Sequence, residues 1–412
     1  MTIIQTPGGT WQRRFGDALM GSLSTPKVML ERGEGCQVWD VEGKRYLDFL
    51  AGIAVNALGH AHPALVSAIA DQAGKLVHVS NYFATEPQLA LAERLKRITG
   101  AGERGRVYFG NSGAEANEAA FKLARLNSDG GRRTRILALT NSFHGRTMGS
   151  LALTGKPALR EPFLPMAPGV EHIETSIEAL EDAMGDDVAA IFVEPIKGEA
   201  GVLDLPHGYL ELARELATEH GALLILDEIQ TGVGRTGSWF TFQQFDVVPD
   251  AVTVAKGIAG GVPIGALVTF GDASDLFEAG QHGSTFGGNP LATAAADAVL
   301  AEIERSGLVL NALVRGDQLR AAIEAMDSPL VDEIRGRGLL IGLGLTQPVA
   351  AEIAARCLEA GLIVNAPNDS SIRLAPPLII SAADVDDFAV RFARALSTLT
   401  SDHSSTESDP LP

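Results

Sequence analysis

Residues 208–232 read "GYLELARELATEHGALLILDEIQTG". The stretch up to Gly221 has the apolar spacing of a helix, and the run from Leu223 to Leu226 is short, apolar and β-like. A helix followed at once by a buried strand is one unit of an α/β fold. The strand then runs directly into two carboxylates, Asp227 and Glu228, and a glycine-rich loop. Burying a carboxylate is costly unless a cation meets it. The identity of the cation facing Asp227 is therefore the first functional question.

The same unit repeats on both sides. "RVYF" (106–109) precedes the helical "AEANEAAFKLARL", and "RILAL" (135–139) and "AAIFVEPI" (189–196) each precede a loop. "AVTVAKG" (251–257) and "IGALVTF" (264–270) follow. This alternation predicts a mostly parallel sheet sandwiched by helices. Two helices, 62–76 and 85–99, come before it, and "QVWDVEGKRYLDFL" (37–50) reads as a hairpin turning at Glu42-Gly43. After residue 290 a long alanine-rich helix leads to "VDEIRGRGLLIGLGL" and a last helix near 383–397. The expected division is an N-terminal segment (1–60) joining the small domain, a large α/β domain (61–290), a small α+β domain (291–400) and a disordered tail (401–412).

Ligands of open α/β sheets bind beyond the carboxyl ends of the strands. There the chain places "GNSGAEANE", "TNSFHGRT", "IKGEAG", "DEIQTG" and Lys256. "GNSGA" opens a helix whose free N–H groups suit a phosphate. It misses the G-x-S-x-G elbow because Ala114 replaces the last glycine, which weakens a serine hydrolase with His144 as base. No G-x-G-x-x-G follows a strand, which weakens nicotinamide binding. His60 and His62 have metal-like spacing without a matching carboxylate pattern. Cys36 and Cys357 form no CxxC pair, which suits free thiols in a reducing cytoplasm. A net charge of −18 argues against nucleic acid or an anionic membrane as partner. The sequence contains no apolar run long enough for a signal sequence or a membrane span. A lysine at a strand end facing a phosphate loop suits a Schiff base to pyridoxal phosphate. The cation facing Asp227 would then be the protonated pyridine nitrogen, and Gln230 could reach the ring hydroxyl.

"FGNSGAEANEAAFKLAR", "SFHGRTMGSLALTG", "VEPIKGEAGV", "LDEIQTGVGRTG", "AKGIAGGVPIGA" and "HGSTFGGNPLA" occur in that order. In this series the chain, from about residue 25 to 398, resembles the class III pyridoxal-phosphate aminotransferases, and within them the acetylornithine-specific group. The resemblance implies fold type I, a homodimer with active sites at the subunit interface, and ping-pong transfer from N2-acetylornithine to 2-oxoglutarate, giving glutamate. It implies a cofactor site of Ser112, Gly113, Ala114, Phe143, Asp227, Glu228, Ile229, Gln230 and Lys256, with Thr285 supplied by the partner subunit. It implies substrate contacts at Arg146, at Ser284, and at Arg373, which would bind an α-carboxylate and be covered by Glu199 when the donor is bound. Asn81 falls in a site-lining segment without an assigned role. Leu23 stands where the family often has tyrosine, and Lys197 where glutamine is common, adding charge near Glu199. The alternatives are another ω-aminotransferase (for ornithine, succinylornithine or 4-aminobutyrate) and a non-catalytic pyridoxal-phosphate-binding protein.

Overall fold

The computed structural model describes residues 9–406. Its centre is a seven-stranded sheet of β1 (Arg106–Gly110), β2 (Arg135–Leu139), β3 (Val170–Ile173), β4 (Val188–Val193), β5 (Leu223–Asp227), β6 (Ala251–Val254) and β7 (Gly265–Thr269). The spatial order is β3-β2-β4-β5-β6-β7-β1. Neighbours from β3 to β6 are parallel, and β7 is antiparallel to both β6 and β1. Every residue of β4, β5, β6 and β7 is buried, which is why these segments read as continuous apolar runs. Strand β3, "VEHI", is a half-exposed edge strand whose polar residues conceal it in the sequence.

Helices cover the sheet. Tyr209–His220 buries Tyr209, Leu210, Ala213 and Ala217 on one stripe and stops at Gly221, whose φ of 67° suits a residue without a Cβ. Gly113–Leu126 packs across β1, β6 and β7, burying alanines that allow close approach. Pro290–Arg305, read from sequence as opening the C-terminal unit, packs on Pro63–Ala73 and Glu86–Thr99. Arg94 holds Asp297 there at 2.6 Å.

A second sheet, Val331–Arg337, Leu340–Leu345, Ser371–Leu374 and Asn365–Asn368, is antiparallel throughout. The N-terminal strands Leu30–Glu34, Gln37–Asp40 and Arg45–Asp48 pair with one another, and the third takes Leu362–Ile363 as a parallel neighbour. Phe49 stacks on Phe388 of the last helix at 4.5 Å, joining the two ends of the chain. That helix, Ala382–Thr406, extends past residue 397, so 401–406 are helical rather than part of a tail; 407–412 lie outside the described residues.

Candidate active site

Loops from the carboxyl ends of β1, β2, β4, β5 and β6 converge on a cavity of about 370 Å³. It is lined by Ser112, Gly113, Ala114, Phe143, Arg146, Glu199, Asp227, Ile229, Gln230 and Lys256 from the expected set. The sheet register therefore brings together residues up to 144 positions apart in sequence, from Ser112 to Lys256.

The first wall is the N-terminus of Gly113–Leu126. Ser112 is its N-cap, its Oγ accepting from Glu115 N at 3.1 Å. The Gly113 and Ala114 amides begin the helix and have no intrahelical acceptor. A Cβ on Gly113 would lie 2.8 Å from Ile229 Cδ1, so glycine keeps this cradle open.

The floor is Asp227, buried at 4% exposure. Its Oδ2 accepts from Asn117 Nδ2 at 2.8 Å and meets His144 Nδ1 at 2.7 Å, while its Oδ1 accepts from Ile229 N at 3.1 Å. Burial opposes a charged His144, but the hydrogen bond and charge of Asp227, aided by Glu194, outweigh it and raise its pKa. His144 thus gives Asp227 a hydrogen-bonding partner within the protein whose charged form that carboxylate favours, a role its sequence position did not suggest. The residue after Asp227 points the other way, as successive residues of an extended chain do. Glu228 takes hydrogen bonds from Thr231 Oγ1 and, at 2.8 Å, from Phe242 N. Its side chain supports the following loop instead of lining the cavity, and burial pushes its pKa up to about 6.

Lys256 follows β6 in a one-turn 3-10 segment with φ of 43°, a left-handed strain of the kind that collects at functional sites. Burial lowers its pKa; Arg373 acts in the same direction, while Glu199, Asp227 and Glu194 oppose it. Phe143 is fixed by its N–H donating to Glu194 Oε1 at 2.8 Å, and the exposed Arg146 guanidinium sits 5.6 Å from the Phe143 ring centre.

Glu194, quoted in a motif but given no role, is 5% exposed and is pushed up to about 7, mainly by burial, with Asp227 contributing. An acid raised in this way keeps its proton in the fold while the unfolded chain ionises. Stability is therefore lost as pH rises from the ordinary carboxyl range to about 7. Glu194→Gln keeps an acceptor for Phe143 N and removes that penalty. It should stabilise the protein by about 2–3 kcal/mol at about pH 8 and by almost nothing at about pH 4. Thermal melts at both pH values check this; an equal shift at both would contradict it.

Arg373 does not line the cavity but lies behind Glu199, buried at 1% exposure and donating through Nη1 to Glu199 Oε1 at 2.5 Å. Burial alone would raise the Glu199 carboxyl, but the charge and hydrogen bond of Arg373 hold it below its ordinary value. Arg373 Nη2 donates to Asn365 Oδ1 at 2.7 Å, a contact the sequence reading missed. Lys197 is turned away from this pair, its amine spent on the Thr140 carbonyl and the Thr175 hydroxyl. The amine that does reach Glu199 is that of Lys156, 2.6 Å from its backbone carbonyl.

Ser284 and Thr285 lie apart from this cavity. Ser284 Oγ accepts from Asn111 Nδ2 at 3.1 Å, and Thr285 lines a separate recess with His78 and Asn81. Asn81 pins that loop by donating to the carbonyls of Ser284 and Gly287, each at 3.0 Å. His60 meets Asp48 at 2.8 Å, and His62 caps the helix Pro63–Ala73. No group of three metal-ligating side chains occurs among the described residues.

The class III aminotransferase family model matches residues 20–396. The acetylornithine aminotransferase of Mycobacterium tuberculosis (strain H37Rv) is 51% identical over 389 residues, covering 94% of this chain and 96% of that protein. The ornithine aminotransferase of Toxoplasma gondii superposes with a TM-score of 0.91 at 31% identity, covering 97% of each chain. The N-acetylornithine aminotransferase of Stenotrophomonas maltophilia has a TM-score of 0.81 at 37% identity, covering 91% of this chain and 97% of that one. With the fold, the converging rim and these likenesses in agreement, the chain belongs to the class III aminotransferases.

Proposed function

We propose that this enzyme transfers the δ-amino group of N2-acetyl-L-ornithine to 2-oxoglutarate, giving N-acetyl-L-glutamate 5-semialdehyde and L-glutamate, a step of arginine biosynthesis. One observation carries the choice of reaction type. The cavity lined by Lys256, Asp227 and Glu199 has a buried arginine, Arg373, held directly behind that glutamate. Such a site can accept two acids of different shape in turn.

The residues present fit pyridoxal 5′-phosphate. Gly113 and Ala114 offer amides and a cradle that a Cβ would fill, Phe143 a ring face, Asp227 a buried carboxylate and Lys256 an amine. When bound, the cofactor supplies an electrophilic aldehyde and a ring that absorbs the electron pair left by a departing substrate proton. Asp227, itself oriented by His144 and Asn117, holds a proton on the ring nitrogen. Lys256, with a pKa lowered by burial, takes the proton from the substrate carbon and returns it. Arg146 at the cavity mouth grips the carboxylate remote from the reacting amine. Glu199 covers Arg373 while the donor is bound and yields it to the α-carboxylate of 2-oxoglutarate.

The assembly we infer, a homodimer, is supported by what one chain leaves out. Thr285 lies off its own cavity, and Met20, Leu23, Tyr82, Phe83 and Phe286 are exposed apolar groups that a second copy would cover. A homodimer in which Thr285 reaches the partner's cofactor accounts for both observations. The buried, unpaired Cys36 and Cys357 suit a cytoplasmic setting.

The test is single-turnover kinetics with a donor panel. N2-Acetylornithine carries no charged α-ammonium beside its carboxylate, whereas ornithine must pair or bury one. The acetylated donor should be preferred by roughly 10- to 1,000-fold in kcat/KM. Arg146→Ala should erode that preference, and Glu199→Ala should impair the donor half-reaction more than the 2-oxoglutarate half. If ornithine, succinylornithine or 4-aminobutyrate outperforms acetylornithine, the donor assignment is wrong and only the aminotransferase stands.

A further inference from the structure

Arg373, Glu199 and Gln230 form a closed triangle of hydrogen bonds. Arg373 Nη1 donates both to Glu199 Oε1, at 2.5 Å, and to Gln230 Oε1, at 3.0 Å. Gln230 Nε2 donates to the same Glu199 oxygen at 3.2 Å. The amide thus turns its acceptor to the cation and its donor to the anion. The reverse orientation would satisfy neither, so the assignment of its oxygen and nitrogen is chemically determined.

Room for this amide comes from Gly198. A Cβ there would lie 2.0 Å from Gln230 Oε1 and 2.5 Å from Gln230 Cδ. Gly198 does not have the left-handed backbone of its neighbour Gly201, whose φ is 106°. Gly198 is therefore glycine for the sake of the amide rather than for backbone freedom. On the other side of the guanidinium, Asn365 occupies Nη2. When Glu199 moves away, Arg373 keeps two neutral acceptors and stays in place.

We propose that Gln230 is a third member of the gate, a strut that holds Glu199 across Arg373 and so sets the balance between the two substrates. This deepens the reading of Arg373 and Glu199 given above and rests on it. Gln230 was expected only at the cofactor's ring hydroxyl, yet in this structure both ends of its amide belong to the gate. Removing the strut makes Glu199 easier to displace. Incoming carboxylates then gain Arg373 more readily, and the donor, which is met by the closed gate, is held less well. A carboxylate at position 230 acts in the opposite sense on the acceptor, because it competes for Arg373.

The experiment uses the holoenzyme, with glutarate as a dicarboxylate probe that carries neither amine nor keto group. Titration calorimetry should show glutarate binding about 3- to 10-fold tighter in Gly198→Ala and Gln230→Met, and at least about 10-fold weaker in Gln230→Glu. In Gly198→Ala, kcat/KM of the donor half-reaction should fall about 10-fold while the 2-oxoglutarate half stays within about 3-fold. Loss of a contact to the cofactor alone would slow both halves alike, so the unequal change is the signature of the strut. Unchanged glutarate affinity in all three variants, or equal slowing of both halves, overturns the proposal. Wild-type protein that binds no glutarate would instead remove the gate reading, and the strut with it.

Discussion

Asp227→Asn should slow amino transfer by about three to five powers of ten, about 4–7 kcal/mol of transition-state stabilisation, in a protein that still folds. The fold survives because the change removes a buried charge. Ile229 N can still donate to the amide oxygen, and His144 can present a neutral Nδ1 as acceptor toward the new NH2, so that only the hydrogen bond from Asn117 Nδ2 is lost. The chemistry does not survive, because an amide cannot hold a proton on the ring nitrogen as a carboxylate does. The expected loss exceeds the net worth of an ordinary hydrogen bond, about 1 kcal/mol, and so separates an electronic role from mere contact. Stopped-flow measurement of the donor half-reaction checks it, with circular dichroism confirming the fold. A near-normal rate would show that another group, with His144 the nearest candidate, keeps the ring protonated.

Lys256→Ala should abolish turnover, by at least about five powers of ten, while the cofactor still binds through the amides of Gly113 and Ala114. Among the described residues no other amine lines the cavity to replace it. Lys197 is committed to Thr140 and Thr175, and Lys156 to the Glu199 carbonyl. The same variant tests the assembly. Mixed with Thr285→Ala after gentle dissociation, it should yield heterodimers in which one site has both Lys256 and a partner-supplied Thr285. Activity above that of the two variants measured separately is expected; activity equal to their sum would place Thr285 outside the partner's site.

Much of the fold could be read from the sequence because burial on both faces leaves an unbroken signature. β4, β5, β6 and β7 appear as apolar runs, and the parallel three, β4, β5 and β6, each deliver a polar residue to one rim of the sheet, whereas the antiparallel β7 begins there. Strand β3 was missed because an edge strand need not be apolar, and residues 401–406 because a polar composition does not prevent a helix from continuing. The site was legible where chemistry is tied to strand ends: Asp227, Lys256, Glu199, and the loop from Ser112 to Ala114. Three kinds of fact were not. Side-chain direction placed Glu228 on the far face from Asp227 and turned Lys197 away from Glu199. Long-range partners such as His144, Asn117 and Asn365 carry no local signal of what they meet. The void at Gly198 is legible only once Gln230 is seen to fill it.

The most direct test of the central claim, that this rim is one cofactor site anchored at Lys256, is chemical. Holoprotein is reduced with borohydride, which fixes the cofactor to the residue that carries it, then digested and mapped by mass spectrometry. The label should appear on the peptide containing Lys256, in a yield matching the loss of absorbance, and should be absent from protein first treated with N2-acetylornithine. Label recovered on Lys197, Lys156 or any other lysine would contradict the account.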